Sequence, residues 1–373
     1  MKKTTILLML LLLTLTTIIC VFALCSCNLF GNNAKLTVFY DNNHIVYENE
    51  NLESLRPFLT VNYTDRDGKV DTVTDYTLSG ILTVGECTIT VRYNDSTKTF
   101  TVLVKKLNLQ FAQYSDNSYI VVGMEGAEDT VVIPSTYNNM PVTGIGDSAF
   151  SRHYNLNNVI IGNNVTNIGE YAFNGCKLTN INYLGTIEGW CSISGLDNLM
   201  FEGYINKTLV IDGKKITDEL IIPNTVTSIS YGAFHGIKIS RITIPFVGEN
   251  ANGVGETHFG YIFGASSYPN INNADYVPST LNTVVITGGN NIGNVAFYGC
   301  QKLTSITIPD SVTTIGYNAF DGCSYLKDIN YLGTIESWLK IDGLDNLMSY
   351  GSGMRKLLFN GKELTGTLVI PIQ

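Results

Sequence analysis

The sequence predicts a mainly β fold in which a small N-terminal β-sandwich is followed by a repeat solenoid. Residues 36–105 alternate apolar and polar side chains in short runs bounded by turn residues, which is typical of strands. From about residue 107, a 23-residue pattern recurs, which indicates stacked coils. With an apolar leader, these observations divide the chain into residues 1–27, 28–106 and 107–373.

The composition excludes several classes of partner. Charged residues make up 15% of the 373 residues and the net charge is −9. A nucleic-acid-binding protein needs lysine and arginine to displace counterions from phosphates, so nucleic acid is not expected as a partner. No basic amphipathic stretch predicts binding to a membrane surface.

The leader has the form of a secretory signal, because Lys2 and Lys3 precede a long uncharged apolar run. The run ends in the letters LCSC, which resemble a bacterial lipobox ending at Cys27. The resemblance implies a lipoprotein signal peptide over residues 1–27 and a lipid anchor on Cys27. A retained membrane helix is the alternative, since the run is long enough to span a bilayer. Either interpretation places the remaining chain outside the cytoplasmic membrane.

The segment after the leader contains the runs KLTVFY, FLTVNYTD, CTITVRYN and TKTFTVLV. Together with YTLSG, these runs resemble bacterial Ig-like domains of cell-surface proteins, which implies an Ig-like β-sandwich over residues 28–106. An acidic stretch around Gly68 does not fit a calcium loop, because its glycine comes fourth rather than sixth. A hairpin turn at Asp67-Gly68 explains this stretch better.

The clearest repeat is LTSITIPDSVTTIGYNAFDGCSYLKDI, which begins at Leu303 and restarts at Leu326. In each repeat, LxxIxIP predicts a strand that proline ends, VTxIG predicts the return side of the coil, and Ala-Phe packs inward. A single coil cannot bury its own apolar stripe, so neighbouring coils must stack. The pattern resembles BspA-type leucine-rich repeats, which implies a solenoid over residues 107–373 and, as for that family, adhesion to protein or glycan ligands.

Three repeats end in AFNGC, AFYGC and AFDGC, which raises the question of a metal site. The equivalent position of Cys176, Cys300 and Cys323 is occupied by Ile237 in another repeat, and isoleucine cannot bind a metal. The position is therefore interpreted as a buried apolar slot that cysteine fills as a small hydrophobic residue. A disulfide between Cys300 and Cys323 and a metal site are the alternatives.

Three longer segments are expected to interrupt the array as inserts. Residues 181–200 recur at 329–348 with 16 of 20 positions identical, and each copy is followed by a hairpin turn, Asp212-Gly213 or Asn360-Gly361. A third segment, 246–278, is expected to form a long ordered loop or a small projecting lobe. Because the chain ends within a strand motif, we expect the solenoid to be truncated at its C-terminus.

Catalytic chemistry is not predicted. The four histidines are scattered, no serine or cysteine has a recognisable histidine and acid arrangement, and the glycine-rich NGVGETHFG does not open a helix after a strand. The sequence therefore predicts a protein that is not an enzyme, with no catalytic residue, metal or cofactor.

The predicted function is interaction at the cell surface, through outward strand positions and the third insert. The predicted ligand-binding residues are Arg241, Thr243, Thr283, Ser305, Thr307, Asp328, Tyr268 and Tyr276. Both tyrosines lie among serine, asparagine and proline and are expected to be exposed, whereas Phe259 and Phe263 are expected to pack onto the stack. The expected partners are an extracellular protein or glycan, and the membrane through the lipid anchor. The alternative is a spacer that presents a catalytic or carbohydrate-binding domain beyond residue 373.

Overall fold

The computed structural model describes residues 34–41, 46–48, 50–114, 117–204, 206–251, 253, 255–265, 273–348 and 355–363. Cys27 and Tyr268 lie outside these ranges. The chain divides into two compact units, residues 1–105 and 106–373. Within the described ranges, no helix has the length and apolar character needed to cross a membrane.

Over its described residues, the first unit contains two sheets. Its elements are β1 (Lys35–Tyr40), β2 (Val46–Tyr47), the 3-10 helix η1 (Leu52–Phe58), β3 (Leu59–Thr64), β4 (Val70–Thr72), β5 (Thr77–Ser79), β6 (Gly85–Tyr93) and β7 (Ser96–Lys105). The sheet orders are β1-β3-β4 and β2-β7-β6-β5. Leu36 and Val61 from the first sheet share a buried cluster with Val91 from the second, so the sheets pack on one core. Strands β3 and β4 form a hairpin whose turn contains Asp67-Gly68, as predicted.

The second unit is built on two ladders of short strands. The first ladder contains β10 (Thr130–Ile133), β13 (Asn158–Ile161), β15 (Asn180–Tyr183), β16 (Thr208–Ile211) and β17 (Lys214–Ile216). The second contains β18 (Glu219–Ile221), β19 (Arg241–Ile244), β20 (Thr283–Ile286), β22 (Ser305–Ile308), β24 (Asp328–Tyr331), β25 (Lys356–Phe359) and β26 (Lys362–Glu363). Ser305 pairs in parallel with Asp328, which confirms the 23-residue repeat.

Other elements complete the coils. The remaining strands are β8 (Leu109–Tyr114), β9 (Ser118–Met124), β11 (Thr136–Tyr137), β12 (Met140–Ile145), β14 (Asn167–Ile168), β21 (Asn291–Ile292) and β23 (Thr314–Ile315). The helices are α1 (Ile187–Ser192), α2 (Asp197–Met200), the 3-10 helix η2 (Phe259–Phe263), α3 (Asn273–Tyr276), α4 (Ile335–Trp338) and α5 (Asp345–Met348). Strands β14, β21 and β23 come from the VTxIG motif and its variants, and β21 pairs in parallel with β23 on the return side.

The Ala-Phe pairs form the inner spine of the solenoid, as the sequence predicts. The rings of Phe150 and Phe173 stack with centroids 5.0 Å apart, and those of Phe297 and Phe320 stack at 5.1 Å. The backbone N–H of Phe150 donates to the carbonyl of Ala172 in the next coil, at 2.7 Å. Each coil therefore joins its neighbour through ring packing and through backbone hydrogen bonds at the turn.

The residue that precedes the alanine of each Ala-Phe pair has a backbone in the left-handed region, with a positive φ. The five residues at this position are Ser148, Tyr171, Gly232, Val295 and Asn318, with φ between 52° and 65°. Glycine and asparagine adopt this conformation readily, whereas a β-branched residue such as valine is strained there. The stacked turn therefore imposes a backbone conformation that the local sequence does not favour in every coil.

The duplicated segments 181–200 and 329–348 are coils of the solenoid, so the prediction that they interrupt the array is wrong. Strand β15 lies between β13 and β16 in the first ladder, and Ser194 continues the return side by pairing with Asn167. A short helix, α1 or α4, replaces the irregular chain that follows the strand in other coils. These segments differ from the repeat only in how the strand connects to the return side.

The two predicted hairpin turns are confirmed. Strands β16 and β17 pair antiparallel around Asp212-Gly213, with φ of 51° and 68°, and β25 and β26 pair around Asn360-Gly361, with φ of 51° and 78°. Positive φ at both central residues is the geometry of a type I′ turn, which Asp-Gly and Asn-Gly favour.

The segment 246–278 is also part of a coil over its described residues, rather than a projecting lobe. The carbonyl of Glu249 accepts from Ile229 N–H at 2.8 Å on the return side of the preceding coil. Phe259 and Phe263 are buried in the main core, as predicted, and the ring of Phe259 lies 5.0 Å from that of Phe297. The segment thus supplies its own return side and its own part of the phenylalanine spine.

Candidate functional site

The outward side chains of β19, β20, β22 and β24 form two parallel rows, which we call the strand face. In β19 and β24 the burial alternates from exposed to buried to half-buried to buried, so every second residue points away from the core. One row contains Arg241, Thr283, Ser305 and Asp328, and the other contains Thr243, Val285, Thr307 and Asn330. The register therefore brings together the six predicted strand residues.

Three of the hydroxyl groups on the strand face are available to a ligand, whereas that of Thr283 donates to Asn282 Oδ1 at 2.8 Å. Among the described residues, the side chains of Thr243, Ser305 and Thr307 have no hydrogen-bond partner, and all three are half-exposed. Adjacent parallel strands are about 4.8 Å apart, so these donors and acceptors repeat at a short, regular spacing. A flat ligand surface with matching polar groups could contact several of them at once.

Charges lie toward the two ends of the first row. The guanidinium Nε of Arg241 lies 2.8 Å from Glu219 Oε1, and Lys356 Nζ lies 2.9 Å from Glu363 Oε2. These partners are exposed, so each ion pair contributes little to stability. Between them, Thr283 and Ser305 leave a stretch of the row without charge.

The sequence prediction omitted the outward positions of the first ladder, although the same strand motif indicates them. There, Asn180 Nδ2 donates to Asn158 Oδ1 at 2.7 Å, and Asn158 Nδ2 donates to Thr130 Oγ1 at 3.1 Å. These amides already bond to one another along the ladder. The first ladder consequently has fewer free polar groups to offer than the strand face. On the strand face, the row that contains Arg241 continues into Glu219 at one end and Lys356 at the other. The sequence prediction also omitted these two residues.

The structure separates the two surfaces that the sequence prediction joins. Tyr276 lies in α3 and is 37% exposed, in agreement with the expected exposure. The described residues of the segment that precede Tyr276 form backbone hydrogen bonds with the return side and the turn of neighbouring coils. For example, the carbonyl of Ile262 accepts from Phe234 N–H at 2.8 Å. The described residues of the segment 246–278 therefore lie on a different side of the coil from the strand face.

The cysteine slot is buried in the four repeats from which it was interpreted, because Cys176, Ile237, Cys300 and Cys323 are each at most 5% exposed. The thiols of Cys176 and Cys323 donate to the carbonyls of Phe150 and Phe297, each at 3.2 Å. Both cysteines and Cys300 are free in the structure. Burial raises the pKa of the Cys176 thiol to about 12, so the reactive thiolate is not populated near neutral pH.

The repeat region matches a known family. Residues 130–206, 212–279 and 269–340, more than half of the chain, match the family described as BspA type leucine rich repeat region, in six copies. No curated protein matches the chain.

Several solved structures are similar at low identity. A leucine rich cell surface protein from Faecalibacterium prausnitzii is 20% identical, with 63% of this chain and 96% of that chain covered and a TM-score of 0.27. A leucine-rich repeat protein from Eubacterium ventriosum is 20% identical, covering 61% and 71%, with a TM-score of 0.24. A leucine rich repeat protein of T. pallidum is 19% identical, covering 60% and 68%, with a TM-score of 0.20. The family assignment rests on the repeat match.

Proposed function

This chain belongs to the BspA-type leucine-rich repeat family, and we propose that it is a non-enzymatic cell-surface protein that binds an extracellular protein or glycan through the strand face. The observation that supports this function best is the pair of in-register rows with unpartnered hydroxyls at Thr243, Ser305 and Thr307. Solenoids commonly bind extended ligands across such stacked surfaces. Adhesion to a host or matrix component is the role that this surface would serve.

The test is a pair of bulky substitutions on the strand face. Ser305→Arg with Thr307→Arg places two long charged side chains on β22, where both native side chains are half-exposed, so the fold should tolerate them. We expect binding to arrays of extracellular matrix proteins and glycans to weaken at least about tenfold. The two arginine side chains on β22 would cover the polar groups of the neighbouring strands β20 and β24 and keep a ligand away from them.

The matched control is Thr130→Arg with Thr208→Arg on the first ladder, where both residues are also half-exposed. This control should bind the same array components as the parent, and circular dichroism should show that both double variants fold. If the β22 variant binds like the parent, or if only the first-ladder variant loses binding, the strand face is not the binding surface.

We further propose that the protein is held at the membrane by lipid on Cys27 and that the first unit is an Ig-like domain. The sequence of the leader supports the anchor, and a diacylglyceryl group would supply the two chains that firm attachment needs. Mass spectrometry of membrane-extracted protein should show a mature N-terminus at a lipidated Cys27. An intact leader, or a Cys27→Ser protein processed and retained like the parent, would contradict the anchor.

A further inference from the structure

An aromatic cluster lies at the turn side of the solenoid, away from the strand face. It is formed by Phe201, Tyr231, His235 and Tyr261. The ring of Phe201 lies 4.6 Å from that of His235 and 5.6 Å from that of Tyr231, and the ring of Tyr231 lies 5.3 Å from that of Tyr261. These residues come from three successive coils, so only the stacking of the coils brings them together.

Two glycines allow Phe201 to lie on the backbone of the neighbouring coils. A Cβ added at Gly232 or at Gly264 would lie 2.6 Å from the Phe201 ring, so neither position accommodates a side chain without movement. The ring is nevertheless 40% exposed, although large aromatic side chains are usually mostly buried. Tyr231 is fixed beside it, because its hydroxyl donates to the carbonyl of Gly264 at 2.6 Å. The cluster is therefore a rigid, partly open aromatic surface.

Three carboxylates lie near the cluster. Asp197 lies next to Gly232, since an added Cβ there would be 3.6 Å from the Asp197 Cβ. Near Tyr261, Glu256 Oε2 lies 3.3 Å from the Nε2 of His258, and Glu249 Oε2 accepts from Glu256 N–H at 3.2 Å. We call Asp197, Glu249 and Glu256 the carboxylate rim. All three are half-buried, so solvent screens them less than fully exposed groups.

The imidazole of His258 is buried beside this rim. It is 1% exposed, and neither ring nitrogen has a hydrogen-bond partner of good geometry among the described residues. Burial lowers the pKa of His258, so the ring is mainly neutral at neutral pH and does not cancel the charge of Glu256. The buried amine of Lys207 lies near His235, and the carboxylate of Glu202 lies close enough to offset its charge. The surroundings of the cluster therefore remain net negative.

Burial and the nearby carboxylates raise the pKa of two tyrosines of the cluster. Burial, followed by the carboxylates of Glu249, Glu256 and Asp197, raises the pKa of Tyr261 to about 12. Burial also raises the pKa of Tyr231, with smaller contributions from Tyr276 and Asp197. Both phenols are thus neutral at physiological pH, and their ring faces stay electron-rich.

We propose that the aromatic cluster and its carboxylate rim bind an arginine side chain presented by a partner protein. A guanidinium stacks on an aromatic face and donates in a planar fork to a carboxylate, so it matches both parts of this surface. A neutral glycan would also stack on the rings, and its hydroxyls could donate to the carboxylates, but it carries no positive charge for the carboxylates to attract. This site goes beyond the strand-face function, because it uses different residues on another side of the coil.

A single-arginine peptide provides the direct test. The protein, labelled with 3-fluorotyrosine, is titrated with acetyl-Gly-Gly-Arg-Gly-Gly-amide in about 0.15 M salt, and the fluorine resonances of Tyr231 and Tyr261 are followed by NMR. We expect saturable shifts with a dissociation constant in the millimolar range, because one cation–π contact contributes little at a partly exposed site. The isosteric citrulline peptide, which has no charge, should not shift these resonances.

Variants separate the site from general attraction to an acidic protein. Asp197→Asn keeps the shape of the rim and should weaken arginine binding about fivefold, and Phe201→Ala should abolish it. Tyr317→Ala removes another tyrosine, 68% exposed, and should leave binding unchanged. Equal binding of the citrulline peptide, unchanged binding in both cluster variants, or shifts produced instead by a chito-oligosaccharide would each overturn the proposal, whatever the strand face binds.

Discussion

Replacing Trp190 by alanine is expected to lower the free energy of unfolding of the solenoid unit by about 4 kcal/mol. Trp190 is fully buried, and its ring lies 5.6 Å from that of Tyr183 on the adjacent strand. Its indole Nε1 donates to the buried carbonyl of Ala233 in the next coil, at 3.0 Å. The substitution therefore opens a large cavity and also leaves an unsatisfied carbonyl in the core.

The measurement is urea unfolding followed by tryptophan fluorescence, since both tryptophans of the chain, Trp190 and Trp338, lie in the solenoid unit and Trp338 still reports in the variant. Trp190→Phe keeps a ring but removes the donor, so we expect an intermediate loss of about 2 kcal/mol. Tyr204→Ala, at a side chain that is 57% exposed, should change stability by less than about 0.5 kcal/mol. A loss in Trp190→Ala no greater than that of Tyr204→Ala would show that α1 does not hold the coils together.

The sequence predicts those features of the solenoid that depend on the repeated pattern of apolar residues. The strands, the buried Ala-Phe pairs and the cysteine slot follow from the 23-residue frame, because each coil must bury the same side chains against its neighbours. The hairpins at Asp212-Gly213 and Asn360-Gly361 follow from local turn chemistry. The six strand residues of the candidate site could be predicted for the same reason, as alternation fixes which of them point outward.

Features that depend on stacking rather than on the repeat could not be predicted. Val295 has a φ of 52°, which its side chain disfavours, because the backbone of the next coil determines this turn. The coil of residues 181–200 lacks the IP and VTxIG motifs, so its register is visible only once β15 is paired. The aromatic cluster escaped prediction because Phe201, Tyr231 and Tyr261, which follow one another at intervals of 30 residues, lie outside the 23-residue frame.

Replacing Gly195 by alanine is expected to destabilise the solenoid unit by at least about 3 kcal/mol. Gly195 has a φ of +73°, which alone costs an alanine about 1–2 kcal/mol. In addition, an added Cβ would collide with the carbonyl oxygen of Ile168, which belongs to the backbone of the preceding coil. Ile168 cannot easily move, because its N–H donates to the Ser194 carbonyl at 2.9 Å in the return ladder.

The chain contains a control for each part of this effect. Gly213 has a similar φ of +68° with no atom within 4 Å of an added Cβ, so Gly213→Ala measures the backbone cost alone, about 1–2 kcal/mol. Gly343, the duplicate of Gly195, has a φ of +75° and the same close approach to Ile315 O, so Gly343→Ala should match Gly195→Ala in urea unfolding. If all three variants lose the same stability, the collision has no cost and the return side yields to a side chain. A larger loss at Gly195 and Gly343 than at Gly213 would show that close approach between coils, beyond backbone conformation, requires glycine there.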